Sequence, residues 1–206
     1  YLKGIIELEM GRKEQALEDF NKAVAISRTD YDLRINIYNQ CVRCGSTEMG
    51  ASYLREVLES DASAGLSDYD MGRICYYLGD YEQARLSLEK AKDKSGADAV
   101  SLLGQTYEQL GDYNYAASVY SSFLENRQPD ARIYNQLGLC KLRALDYEGA
   151  LNAFRAGIEI EGNVAMQSLK YNEIIACEYL GQFEQAKILM QQYLALWPDD
   201  GAALRE

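Results

Sequence analysis

The chain has no histidine among its 206 residues. That removes in one step the commonest general base, the usual member of a nucleophile triad and the commonest metal ligand. Glycine is present, but nowhere in the G-x-x-x-x-G-K arrangement whose backbone amides cradle phosphate. Only two prolines occur, Pro129 and Pro198, and neither interrupts a helical pattern. No run approaches the roughly 20 apolar residues of a membrane span, so direct membrane insertion is not expected. Positive charge is also scarce: 21 Lys and Arg face 32 Asp and Glu, a net charge of −11. Nucleic acids and anionic lipid surfaces both demand cationic protein, so neither is the expected partner. A basic or neutral polypeptide is. No catalytic residue, metal or cofactor is assigned, and an enzyme is not expected.

What the chain does hold is most legible in residues 103–120, LGQTYEQLGDYNYAASVY. Gly104 falls mid-helix, where it costs roughly 1 kcal/mol against Ala, so the missing side chain must be repaid by close approach of a second helix. Gly111 follows Leu110 and suits the left-handed closure of a helix C-terminus. Asp112 is then placed to cap a new helix. Tyr113, Ala116 and Tyr120 share one stripe of that helix, a large, small, large sequence that interlocks with the surface Gly104 leaves open. The pattern is a helical hairpin.

The hairpin repeats. Its turn glycine recurs as Gly11, Gly45, Gly79, Gly111 and Gly181, with Leu145 in the fifth place, at intervals of 34, 34, 32, 34 and 36 residues. The stripe recurs as Tyr81–Ala84–Leu88, Tyr147–Ala150–Phe154 and Phe183–Ala186–Met190, and Gly4, Gly72, Gly104 and Gly138 stand seven residues before their turns. This period and pattern resemble the tetratricopeptide repeat, with its Leu-Gly-x-x-Tyr first helix and Ala-x-x-x-Phe second helix. The resemblance implies an all-α, right-handed α-solenoid (superhelix) of about six repeats, near 1–29, 30–63, 64–96, 97–129, 130–162 and 163–198. Together they form one quasi-linear domain over 1–206. Residues 199–206 are expected to start a further helix behind a cap at Asp199 or Asp200. Since Tyr1 already falls inside a helix, the chain is expected to be a segment of a longer polypeptide. Pro129 is expected in the first turn of a helix, a helix is expected over 170–180, and the SDASAGLSD stretch after Glu59 reads as the softest joint.

The family's concave face, lined by first helices, implies a protein-interaction scaffold that holds a peptide or protein segment. Projecting that face onto this sequence selects Asn36, Asn39 and Arg43 in the second hairpin, and Tyr69, Arg73, Tyr76 and Tyr77 in the third. It selects Gln105 and Glu108 in the fourth, Asn135, Gln136 and Arg143 in the fifth, and Asn172 and Tyr179 in the sixth. Asn and Gln pair with both N–H and C=O of an extended peptide, and Tyr and Arg are favoured anchors. The plain alternative is that these are ordinary exposed polar residues. The region from Tyr69 to Tyr77 reads as the strongest single patch. The Lys, Asn and Arg pattern with which relatives grip chaperone C-termini is absent: the aligned positions hold Ile35, Asn39, Asp70, Asp98 and Leu102, or Ser101, Gln105, Gln136, Ser168 and Asn172. Without those cations a terminal carboxylate has no clamp.

Two other readings compete. Cys41-Val42-Arg43-Cys44 is a C-x-x-C pair, but it has neither the second pair of a zinc site nor the βαβ context of a redox motif. Cys41, Cys75 and Cys177 each stand four residues before a turn, which reads as a small apolar packing position. Five unpaired thiols suit a reducing compartment, the cytoplasm, with an anchored extracellular fragment as the alternative. The second reading is self-association through the ends of the array, by Leu2, Ile5 and Leu8 at one end and Tyr193, Leu196 and Trp197 at the other.

Overall fold

The computed structural model describes residues 1–60, 65–127, 129–162, 164–201 and 203. Among them are twelve α-helices and no strand. The chain falls into two compact units, Tyr1–Ala91 and Lys92–Glu206. Unit 1 holds α1 (Leu2–Glu9), α2 (Lys13–Ile26), α3 (Tyr31–Arg43), α4 (Thr47–Glu59), α5 (Asp68–Leu78) and α6 (Tyr81–Ala91). Unit 2 holds α7 (Gly96–Gln109), α8 (Tyr113–Asn126), α9 (Ala131–Arg143), α10 (Tyr147–Ile158), α11 (Met166–Tyr179) and α12 (Phe183–Leu196). Each odd-numbered helix packs on the even one that follows, giving three hairpins per unit.

The turns are built alike. Gly111 takes φ 82°, its amide donates to the Glu108 carbonyl at 3.0 Å, and the Asp112 amide donates back to Tyr107 at 2.8 Å. This satisfies carbonyls that the end of α7 would otherwise leave bare. The fifth turn reproduces those bonds with a leucine: Leu145 sits at φ 64°, donates to Leu142 at 3.0 Å, and Asp146 donates to Lys141 at 2.8 Å. A side chain in this left-handed region costs about 1–2 kcal/mol. Asp146 offsets part of that cost by accepting the Gly149 amide at 2.9 Å, while Lys141 Nζ holds its carboxylate at 2.7 Å. Asp112 has no such cap bond, contrary to the sequence reading; its place is served by backbone bonds alone.

Within a hairpin, the glycine of the first helix seats the large residue that ends the stripe of the second. A Cβ on Gly104 would lie 2.1 Å from the Tyr120 ring, and one on Gly138 would lie 2.2 Å from Phe154. Both rings are fully buried, and Tyr120 donates its hydroxyl to the Ser101 carbonyl at 3.2 Å. The second hairpin inverts the scheme. Tyr38 stands where the glycine would be, and Gly50 on α4 is the small partner: its Cβ would lie 2.9 Å from the Tyr38 Cα.

Alanine and the last stripe residue are buried as expected, Ala84, Leu88, Ala116, Ala150 and Phe154 completely, except in the sixth hairpin, where Met190 is half-buried. The first stripe residue is not core. Tyr81, Tyr113 and Tyr147 are half-buried, and Phe183 is exposed, because this position lies at the hairpin's edge beside the turn. Pro129 precedes α9 by two residues, and Asp130 is the cap, accepting the Arg132 amide at 2.8 Å. The last first helix starts at Met166, earlier than expected. Residues 61–64 of the soft joint lie outside the described residues, as does most of the expected final helix. Asp200 does accept the Ala203 amide at 3.4 Å.

Gly104→Ala is expected to destabilise unit 2 by about 1–3 kcal/mol through overpacking, read as a lower denaturation midpoint. Tyr120→Leu in the same chain should recover part of that loss. Additive costs for the two changes would break the proposed coupling.

Candidate functional site

Several of the first-helix residues singled out by sequence already contact one another or the adjacent first helix. In unit 1, Arg73 of α5 pairs with Asp32 of α3 and with Asp70 at 3.4 Å, under the Tyr69 ring at 5.2 Å. Tyr77 meets Tyr38 of α3 at 5.6 Å and packs on the core formed by Ile35, Leu54, Val57 and Ile74. Tyr76 packs edge-on against Tyr77 and against Tyr81. The Tyr69–Tyr77 patch therefore joins α3 to α5 before it offers anything to a ligand. Asn36 and Arg43 are exposed, Asn39 is half-buried, and Arg43 reaches only Gln40 of its own helix, at 3.1 Å.

In unit 2 a ladder of polar contacts links α7, α9 and α11. Gln136 donates to Ser101 Oγ at 2.7 Å, and Gln105 donates to the same hydroxyl at 3.2 Å. Arg143 pairs with Glu108 and lies over the Tyr113 ring at 5.8 Å. Arg132 reaches Asp98 at 3.6 Å. Asn172 Nδ2 donates to Asn135 Oδ1 at 2.8 Å. That last pair leaves Asn135 Nδ2 and Asn172 Oδ1 without another hydrogen bond among the described residues, one donor and one acceptor side by side. Tyr179 is exposed, its ring stacked on Tyr147 at 4.9 Å and 7°.

Two pockets open on the α9–α11 face. One, of about 320 Å³, is lined by Asn135, Asn172, Leu139, Gln167, Ser168, Tyr171, Tyr193 and Asp200. The other, of about 310 Å³, is lined by Leu139, Leu142, Arg143, Leu145, Tyr147, Ile175 and Tyr179. Leu139 borders both. Of these linings the sequence reading names Asn135, Asn172, Arg143 and Tyr179 as groove residues; it does not name Gln167, Ser168, Tyr171 or Asp200 in that role, nor the apolar Leu139, Leu142, Leu145 and Ile175, although an apolar residue on an otherwise polar helix face was visible as a signal.

The cysteines are all unpaired, and four of the five are buried. Burial pushes the Cys41 and Cys75 thiols up to about 11, with Cys44 and Asp80 adding respectively. Burial, then the Glu108 carboxylate, pushes Cys140 up further, and burial raises Cys177. Such thiols are poor nucleophiles and poor metal ligands in this state. Among the described residues no three Cys, Asp or Glu side chains gather as a metal site. None of the helices is long and apolar enough to cross a membrane.

Glycine-closed hairpins at a steady period, interlocked through small and large residues, agree with sequence models of the tetratricopeptide repeat, which match residues 101–163 and again 1–30 and 69–93. The chain belongs to the tetratricopeptide repeat family. Its fold is the all-α helical-repeat solenoid of that family. Tetratricopeptide repeat protein 21B of Xenopus laevis is 22% identical over 201 residues, which is 91% of this chain and 14% of that protein. The BBSome complex member bbs-4 of Caenorhabditis elegans is 26% identical over 157 residues, 69% of this chain and 33% of its own. The chain thus spans a third or less of the curated relatives it matches. Among solved structures, the crystal structure of YrrB, a TPR protein described as having an unusual peptide-binding site, superposes with a TM-score of 0.59 at 24% identity. It covers 92% of this chain and 97% of YrrB.

Within this tetratricopeptide chain the cysteines are packing residues, and their raised thiols make a pH signature. Because folding favours the neutral thiol, its contribution to stability is complete below pH 9, the ordinary thiol value, and is lost as pH rises toward 11. Native protein near neutral pH should expose only Cys44 to a thiol reagent, and denaturant should expose all five. Fast native labelling of Cys41 would overturn this assignment.

Proposed function

We propose that this chain is a non-catalytic protein-interaction scaffold that binds a peptide or protein segment along the α9–α11 face of unit 2. The observation that carries the reading is the Asn135–Asn172 pair. Its 2.8 Å bond holds the two amides together, and the donor and acceptor left over are the two kinds of group that one peptide unit of an extended chain pairs with. Leu139 and Tyr171 line the same pocket and offer apolar contact. Pre-fixed amides lose little entropy on binding, which is what a recognition site for a flexible segment needs. The peptide-binding description of YrrB and the complex membership of bbs-4 support an interaction role in general terms. The net charge of −11 favours a neutral or basic partner over nucleic acid.

Self-association is the second reading, supported by an exposed apolar stripe along α1 and its C-cap: Leu2, Ile6 and Met10 are 73%, 55% and 61% exposed. The stripe differs from the one read off the sequence. Leu8 and Tyr193 are buried, whereas Leu2 and Leu196 remain exposed.

A peptide selected on the wild-type chain from a randomised display library should bind the Asn135→Ala, Asn172→Ala double variant about tenfold more weakly, with an unchanged denaturation midpoint. Equal affinity would remove the amide pair from the site. Sedimentation that shifts with dilution, and is abolished by Ile6→Glu, would instead favour the assembly reading.

A further inference from the structure

The second hairpin buries an arginine. Arg34, near the start of α3, is only 5% exposed. Arginine does not shed its charge on burial, so a buried one is stable only when its donors are matched. One nitrogen is matched: Arg34 Nη1 donates to the Tyr53 carbonyl at 2.9 Å and to the Glu56 carboxylate at 3.1 Å. The others are not. Nε is buried with no partner, and Nη2 makes no hydrogen bond among the described residues.

The same side chain lines a pocket of about 600 Å³ where the last turns of α2 meet α3 and α4. Arg28, in the link after α2, lines it too; it is exposed and forms no ion pair among the described residues. Asn21 of α2 supplies a further donor to the lining. The Tyr53 hydroxyl donates to Asn21 Oδ1 at 2.8 Å, which leaves Asn21 Nδ2 without a partner among the described residues. Glu56 is the single acidic residue in the lining. Its side chain is 62% exposed, and an ion pair with so solvated a member is weakly held. The pocket therefore gathers two guanidinium groups and an amide donor around one displaceable carboxylate. The chain as a whole carries a net charge of −11, so its general field repels anions and the reversal at this pocket is local.

We infer that this pocket binds an oxyanion, a carboxylate or phosphate group, with Arg34 as its buried anchor, Arg28 as the second cation and Glu56 as a counter-ion that yields to the ligand. Guanidinium groups suit such an acceptor because their fixed fork of donors matches its oxygens. The site lies within unit 1 and owes nothing to the α9–α11 face, so either can fail without the other.

The probes are inorganic phosphate and an acetylated, amidated peptide of four glutamates, each compared with sodium chloride at equal ionic strength. Either probe should shift the Arg34 Nε–H resonance saturably and raise the denaturation midpoint beyond the chloride control. Arg28→Ala should weaken that binding about tenfold while leaving the midpoint of the free protein unchanged. Glu56→Gln should lower the midpoint of the free protein; the anion should restore it and bind this variant more tightly than wild type. Binding of both probes supports the oxyanion itself as the recognised group. Binding of the peptide alone supports an acidic protein segment as its source, and binding of phosphate alone supports a free phosphate. The inference is overturned if neither probe exceeds chloride, or if Arg28→Ala binds as wild type does. It is overturned equally if no anion recovers Glu56→Gln, which would make Arg34 and Glu56 a purely structural pair.

Discussion

Everything in this chain depends on one steric exchange, in which a helix gives up a side chain so that its partner can bury a large one. Gly104 under Tyr120 and Gly138 under Phe154 set the distance between paired helices to within a few tenths of an ångström, because a single added carbon would overlap the ring. The second hairpin shows that the exchange matters more than the residue. There Tyr38 takes the space and Gly50 surrenders it, and Leu54 ends the stripe fully buried. Spacing fixed in this way fixes the turns, and the turns in turn decide which first-helix residues share a face.

That face is less open than a list of polar side chains suggests. Gln136, Arg143, Arg132 and Asn172 each spend a bond on the preceding first helix of unit 2, and Arg73 does the same in unit 1. Groups held by neighbours are ordered before any partner arrives, which lowers the entropy cost of recognition. The same bonds reduce the number of groups available, and for this reason the α9–α11 amide pair and the apolar pocket beside it stand out from the remainder.

The repeat was legible because it rests on local chemistry. Positive φ calls for glycine, and five of six turns have one; the fifth could still be placed because Asp146 and Tyr147 kept the pattern after Leu145. The stripe alanines were legible from helical spacing alone. What the sequence concealed depends on register between neighbouring hairpins. Nothing in the string says that residue 135 meets residue 172, or that Tyr77 lies against Tyr38 and so belongs partly to the core. The early start of α11 was hidden because Ala165 and Met166 carry no capping signal, and its first turn is held by the Leu169-to-Ala165 backbone bond. Leu145 was visible only as a departure from the pattern; its exposure and its pocket needed three dimensions.

The ladder across α7, α9 and α11 has a mechanical consequence. Its rungs differ in kind: Asp98–Arg132 and Glu108–Arg143 are ion pairs with partly exposed members, while Ser101–Gln136 and Asn135–Asn172 are half-buried neutral bonds. Exposed pairs soften as ionic strength rises, and neutral bonds do not. Bending α9 away from α7 therefore works against contacts of both kinds, part of whose stiffness falls as salt rises, whereas the Asn135–Asn172 rung between α9 and α11 keeps its strength at any ionic strength.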